Sequence, residues 1–181
     1  MIPQKGETIV KIDTITVDCD SIVADKKTNN KVIVKYRNVY KTDTIVKEKT
    51  IVKDDVYQMR AVVSQWIANA NINVILVTGG TGFTDRDSTP EALTPLFDKA
   101  VDGFGELFRQ LSYNEIATST IQSRAIAGLA NSTVIFCMPG STGACKTAWQ
   151  QIIKTQLDAS HKPCNFVPHL NLSANACSTR G

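Results

Sequence analysis

The sequence predicts an α/β fold with helices packed on a sheet, and three observations carry that prediction. Two short β-branched runs, residues 72–77 and 133–138, are apolar enough to be strands buried on both faces. Each run ends in a turn rich in Gly, Ser and Thr and leads into a helical pattern. Between them the apolar residues recur at helical spacing, so strand and helix alternate along the chain.

Residues 1–50 come first and differ from the rest. Ile-Val-Lys occurs at 9–11, 33–35 and 45–47 and again at 51–53, while Asp-Thr-Ile occurs at 13–15 and 43–45. The stretch is rich in Thr, Val, Ile and Lys, with Ile15, Val17 and Cys19 alternating against Thr14, Thr16 and Asp18, so it reads as polar-faced strands. All six Phe and both Trp lie after residue 50, and without large apolar side chains this segment has little to build a core of its own.

The first helix is expected from Asp55 to Ala68, where Val56, Met59, Val62, Val63, Trp66 and Ile67 repeat at helical spacing and Asp54 or Asp55 is placed to cap. The strand at 72–77 then opens into Gly79, Gly80 and Gly82, which permit positive φ and let backbone amides approach an anion. Ser88 or Thr89 can cap a helix beginning at Pro90, with Glu91 in its first turn, and the apolar pattern carries that helix to Val101 through Ala92, Leu93, Leu96 and Phe97. Asp85 and Asp87 lie between the glycines and this helix, where carboxylates would repel a phosphate unless a divalent cation bridges them.

A further helix over 103–111 presents Phe104, Leu107, Phe108 and Leu111 as an apolar stripe for the core, with Gly103 and Gly105 leaving room for a ligand to approach. Residues 124–129 and 133–138, joined by Ala130, Asn131 and Ser132, read as a hairpin that gives the sheet one antiparallel pairing. Pro139, Gly140, Ser141, Thr142 and Gly143 form the second turn, followed by a helical run from Ala144 to Leu157. In an open α/β sheet ligands collect at the carboxyl ends of strands, so the two glycine turns are expected to line one crevice.

Composition bounds the function. At 181 residues and 43% hydrophobic content the chain is long enough for one filled core. A net charge of +3 does not point to nucleic acid, and no apolar stretch reaches the roughly 18 residues of a membrane helix. The first residues lack a signal peptide's apolar segment, which favours the cytoplasm. Five cysteines without a CxxC pair fit neither a zinc site nor a secreted disulfide framework, and Cys137 reads as a small core residue. His161 and His169 have no third ligand beside them and read as structural or interface residues.

The stretches 51–68, 74–98, 101–112, 119–150 and 157–170, among them VILVTGGTGFTDRDSTPEALTPLFD and STVIFCMPGSTGACKTAWQ, together resemble the MoaB/MogA-type molybdenum cofactor biosynthesis proteins, the MoaB branch above all. The resemblance covers nearly all of 51–170. It implies a three-layer α/β/α sandwich with a mostly parallel sheet and one antiparallel hairpin. It further implies binding of molybdopterin and, in catalytic members, of ATP with Mg²⁺, so that AMP passes to the terminal phosphate of molybdopterin and pyrophosphate leaves. By the resemblance Asp87 and Asp54 are the metal and catalytic carboxylates, and Gly79, Gly80, Thr81 and Gly82 the nucleotide-phosphate turn. Pro139, Gly140 and Ser141 become the turn facing the pterin phosphate, with Ser123 and Arg124 in the same crevice. A homotrimer or homohexamer is implied as well. The alternative is a noncatalytic molybdopterin-binding or assembly protein with an altered N-terminal element.

Family members begin with a central strand and an amphipathic helix, and residues 1–50 contain no helical run of that length. This segment is therefore a substitute first strand, a β-forming interaction arm, or an unrelated piece fused near Thr50, and its composition favours the last two. Residues 171–181 lie outside the resemblance and read as a polar, mobile end.

Overall fold

The structure, a computed structural model, describes residues 31–37 and 46–170, with side chains from residue 50 onward. Among these residues six strands form one sheet in the order β2-β1-β3-β6-β5-β4. The strands are β1 (Lys31–Arg37), β2 (Val46–Val52), β3 (Ile72–Thr78), β4 (Lys99–Ala100), β5 (Ile126–Ala130) and β6 (Thr133–Met138). The sequence expectations for 9–19 and for 171–181 fall outside the described residues.

At the centre, β3 and β6 pair in parallel from Val74 with Val134 to Thr78 with Met138. All seven residues of β3 and all six of β6 are buried, as expected for strands covered on both faces. Side-chain alternation divides them between two cores. Val74, Leu76, Val134, Phe136 and Met138 face one core, and Ile75, Val77, Ile135 and Cys137 the other. The expected hairpin is present as the antiparallel pair β5–β6. It turns through Asn131 and Ser132, whose φ angles of 46° and 61° make a two-residue loop with the twist such a hairpin requires.

The α/β class is as expected, and the edges of the sheet add three antiparallel pairings to the parallel pair and the hairpin. β4 pairs with β5, β1 pairs with β2, and β1 lies antiparallel to β3 from Val32 with Thr78 onward. The sheet is thus mixed. Of the packings open to the N-terminal segment, residues 31–37 take the one in which a strand enters the sheet, and the division drawn at residue 50 falls inside β2. The physical reason is the row of backbone donors and acceptors that β3 would otherwise present on the side away from β6.

Helices cover both faces. On one lie α1 (Val56–Ile67) and the short α2 (Thr89–Leu93), burying Met59, Val63, Trp66, Ala92 and Leu93 against β3 and β6. On the other lie α3 (Asp102–Ile116) and a continuous helical run made of α4 (Thr142–Ala148), a π turn (Trp149–Ile153) and α5 (Lys154–Gln156). This second face is aromatic, with Phe104 edge-on to Phe136 at 5.1 Å and Trp149 buried in the same cluster. α1 begins as expected, with the Asp55 carboxylate accepting from Gln58 N at 2.7 Å.

Three expectations are corrected. The helix expected to reach Val101 stops at Leu93 and gives way to a 3₁₀ turn (Thr94–Leu96) and then β4. Pro95 has no N–H to give Glu91 O, so the α-helical ladder cannot continue there. The carbonyls left over are taken by the Arg60 guanidinium, which donates from Nη2 to Glu91 O at 2.9 Å and from Nε to Ala92 O at 3.0 Å. In the α3 stripe Phe104 and Phe108 are buried and Leu111 is half-buried, but Leu107 is 41% exposed. Gly105 makes no room for a ligand, because a Cβ there would lie 2.5 Å from Ala125 O; the space is used by close backbone packing.

Candidate functional site

The two glycine turns meet. Gly80, Thr81, Gly82 and Asp87 from the first, and Pro139, Gly140, Ser141, Gly143 and Ala144 from the second, line one cavity of about 340 Å³. The parallel pairing of β3 and β6 causes this, because it places both strand carboxyl ends at the same edge of the sheet. Gly79 N donates to Met138 O at 2.9 Å, and Thr78 Oγ1 donates to Pro139 O at 3.3 Å, tying the two ends together.

In the first turn Gly79 and Gly80 have φ of 97° and 65°, a conformation that a side chain would strain. Thr89 closes the turn, its Oγ1 donating to Gly79 O at 2.8 Å and its N to Gly80 O at 2.9 Å. Ser88 is the N-cap of α2 without a side-chain cap bond, so the cap chemistry expected of Ser88 or Thr89 is replaced by this closure. With five residues α2 contributes little macrodipole.

Asp87 is held by its own loop. Its Oδ2 accepts from Thr84 N at 2.9 Å and Thr84 Oγ1 at 2.6 Å, and its N donates to Thr84 O at 2.8 Å. Gly82 has no Cβ for a reason of space: one would stand 2.8 Å from Asp87 Oδ2. The glycine thereby admits the carboxylate to the cavity wall.

Arg124 has a different place from the one the resemblance gives it. It lines a neighbouring cavity, and its guanidinium is spent on the first loop. Nε donates to Gly82 O at 2.8 Å, Nη2 to Asp87 O at 2.6 Å, and Nη1 pairs with the Glu91 carboxylate; the group also stacks over Phe83 at 5.2 Å. Arg124 N donates to Thr81 O at 3.1 Å as well. The residue braces the turn that carries Asp87.

Ser123 does line the cavity, and its hydroxyl is the one buried side-chain polar atom without a hydrogen-bond partner among the described residues. Such a hydroxyl is open to a hydrogen bond from water or from a molecule in the cavity. Asp54 stands between β2 and α1, half-buried, and is not part of the cavity lining. In the second turn Ser141 caps α4, Oγ accepting from Ala144 N at 3.2 Å.

The sequence reading missed the third wall. Phe108, Ser112, Glu115 and Ile116 of α3, with Ser119 and Gln122 of the 3₁₀ turn Ala117–Gln122, complete the lining. Thr147 Oγ1 donates to Glu115 Oε1 at 2.6 Å, joining this wall to α4. The signal for it was the helical period itself: Phe108, Ser112 and Glu115 recur at three and four residues, so they share a face with the buried Phe104.

One feature of the lining fits an Mg²⁺–phosphate group. Backbone-lined glycine turns stand beside a carboxylate, and Mg²⁺ is commonly held by one or two carboxylates together with substrate phosphates and water. Among the described residues no group of three or more His, Cys, Asp or Glu could hold a metal ion. No described helix is long and apolar enough to cross a membrane.

Comparison with known proteins identifies the family of this chain. The family described as "Probable molybdopterin binding domain" matches residues 15–159, a span that reaches back across the strand β1. Molybdenum cofactor biosynthesis protein B of Escherichia coli is 62% identical over 125 residues, covering 69% of this chain and 74% of that protein. The protein of the same name from Staphylococcus epidermidis is 45% identical over 122 residues, covering 66% and 69%. The crystal structure of the tungsten cofactor synthesizing protein MoaB from Pyrococcus furiosus superposes with a TM-score of 0.55 at 40% identity, over 60% of this chain and 68% of that one. With the family matched across most of its length and its two glycine turns closed on one cavity, this chain belongs to the molybdopterin-binding domain family.

Proposed function

We propose that this protein acts in molybdenum cofactor biosynthesis by transferring AMP from ATP to molybdopterin. The observation that carries the reading is the meeting of two phosphate-sized turns and the Asp87 carboxylate in a single cavity, the turns brought from positions about sixty residues apart. Gly80, Thr81 and Gly82 would hold the nucleotide phosphates, with Gly79, buried and bonded to Met138 O, shaping the turn behind them, and Pro139, Gly140, Ser141 and Ser123 the phosphate of molybdopterin. A terminal phosphate oxygen of molybdopterin attacks the α-phosphorus of ATP, and the bond to pyrophosphate breaks. Asp87 would hold Mg²⁺, which when bound supplies Lewis-acid neutralisation of phosphate charge. The work left to the chain is alignment and charge balance, which is what phosphoryl chemistry chiefly needs. Backbone amides at the turns supply partial positive charge without titrating, and α3 forms the third wall.

The test is incubation of purified protein with molybdopterin, ATP and Mg²⁺ and detection of adenylylated product. Asp87→Asn should retain the fold and lower turnover by roughly 10²-fold or more, the scale on which a preorganised electrostatic group contributes. Turnover unchanged at saturating Mg²⁺ would remove Asp87 from the reaction.

One observation favours a second reading, a noncatalytic molybdopterin-binding protein: Asp54, the other carboxylate of the family pattern, does not line the cavity. Binding of molybdopterin with no adenylylated product under the same conditions would select it.

A further inference from the structure

The cavity has two chemically distinct ends. At the strand ends its lining is backbone-rich and small, formed by Gly80, Gly82, Gly140 and Ser141. On the α3 side it carries a carboxylate, Glu115, accompanied by Ser112, Ser119 and Gln122. The separation follows from the helix that spans them. Glu115 is fixed by Thr147, six residues beyond Ser141, hence about 9 Å along the axis at 1.5 Å per residue. A carboxylate at that distance cannot serve a phosphate, which it repels; it needs N–H donors.

We propose that Glu115 is the specificity-determining residue that reads the aminopyrimidinone edge of the pterin, an inference that rests on the molybdopterin reading of the same cavity. That edge presents the ring N3–H and the 2-amino N–H side by side, two parallel donors that match the two oxygens of a carboxylate. Adenine offers an amino group beside a ring acceptor, and that acceptor would face a carboxylate oxygen. Glu115 therefore favours the pterin over the nucleotide base at this end and sets the direction in which the substrate lies, ring toward α3 and phosphate toward Ser141. Thr147 occupies one lone pair of Oε1 and fixes the side chain; Oε2 and the remaining lone pairs are the acceptors.

The experiment compares two fluorescent ring probes, pterin and lumazine, in which an oxygen replaces the 2-amino group, on wild type and Glu115→Gln, with molybdopterin and ATP titrated in parallel. Wild type should bind pterin at least about tenfold more tightly than lumazine, the scale of one charge-assisted hydrogen bond lost against an acceptor left facing an acceptor. Glu115→Gln should lose or invert that preference, because its amide can donate to the lumazine oxygen, and should weaken molybdopterin about tenfold while leaving ATP unchanged. Glu115 is exposed, so the substitution does not disturb the core. A pterin preference retained by Glu115→Gln overturns the proposal, as does equal binding of the two probes by wild type that still binds molybdopterin. If wild type binds no molybdopterin at all, the proposed function fails as well, so the two failures are told apart.

Discussion

The two glycine turns end adjacent parallel strands and line the same cavity, yet they are built in opposite ways. The second is short and local. Met138 is followed within three residues by the Ser141 cap, and the helix begins at Thr142. The first takes ten residues to pass from Thr78 to Thr89, with left-handed backbone at Gly79 and Gly80 and side-chain bonds from outside the loop. Arg124 lies 37 residues from Asp87 in sequence and still supplies one of its backbone contacts. A turn that only has to present amides can be specified by its own residues. A turn that must hold a carboxylate at a set point needs bracing from another element.

Breaking the brace should have the larger effect. Arg124→Ala removes donors to Gly82 O and Asp87 O and exposes the face of Phe83. Two hydrogen bonds from a charged donor correspond to about 3–6 kcal/mol; the pair with Glu91, itself 55% exposed, adds little to that. Thermal denaturation should show Tm lowered by on the order of 10 °C, and Mg²⁺-dependent turnover should fall more than binding of molybdopterin. Arg124→Lys keeps the charge but not the fork, so it should recover little. If Arg124→Ala binds molybdopterin no better than an unfolded control while Asp87 variants bind normally, Arg124 touches the ligand and is not only a brace.

Ser141→Ala tests the local turn and should cost less. Loss of the cap bond to Ala144 N corresponds to about 1 kcal/mol, read as a small shift in denaturant midpoint with Mg²⁺ affinity unchanged. An equal loss from Ser141→Ala and Arg124→Ala would mean that the two turns are not independently built.

The smallest expected effect lies away from both turns, at the end of the α5 helical run. Asp158 accepts from Ser160 Oγ at 2.7 Å and Ser160 N at 2.8 Å, and these bonds hold its carboxyl below the ordinary range. A carboxyl depressed in the folded state stabilises above its unfolded pKa of about 3.9 and loses that contribution as pH falls through the folded value. The stability difference between wild type and Asp158→Asn should therefore be constant from neutral pH to about pH 4 and shrink below it. Because the group is almost fully solvated, the difference itself is small. A difference that grew on acidification would reverse the sign and place the favourable bonds on the protonated form.

Much of the fold was legible because periodicity and local chemistry agree. β3 and β6 were readable as apolar runs, α1 from its spacing and its Asp55 cap, and the β5–β6 hairpin from the break at Asn131 and Ser132. The length of α2 was misread because the apolar pattern through Leu96 and Phe97 outlasts the helix that Pro95 ends. The glycine turns and Asp87 were legible as a candidate site by residue type and order alone.

What the sequence determined by itself was the class of fold, the two central strands, the helix starts and the two glycine turns at the strand ends. Each of these depends on neighbours a few residues apart, where spacing, capping and φ preference act directly. Tertiary structure decided which of those residues meet. The parallel β3–β6 pairing brought the two turns together, α3 supplied Glu115, Arg124 turned from the cavity to the loop behind it, Asp54 was left outside the lining, and β1 entered the sheet. These outcomes depend on contacts between residues tens of positions apart, and such contacts follow from the packing of whole elements and from the need to pair every buried backbone group, neither of which local spacing encodes.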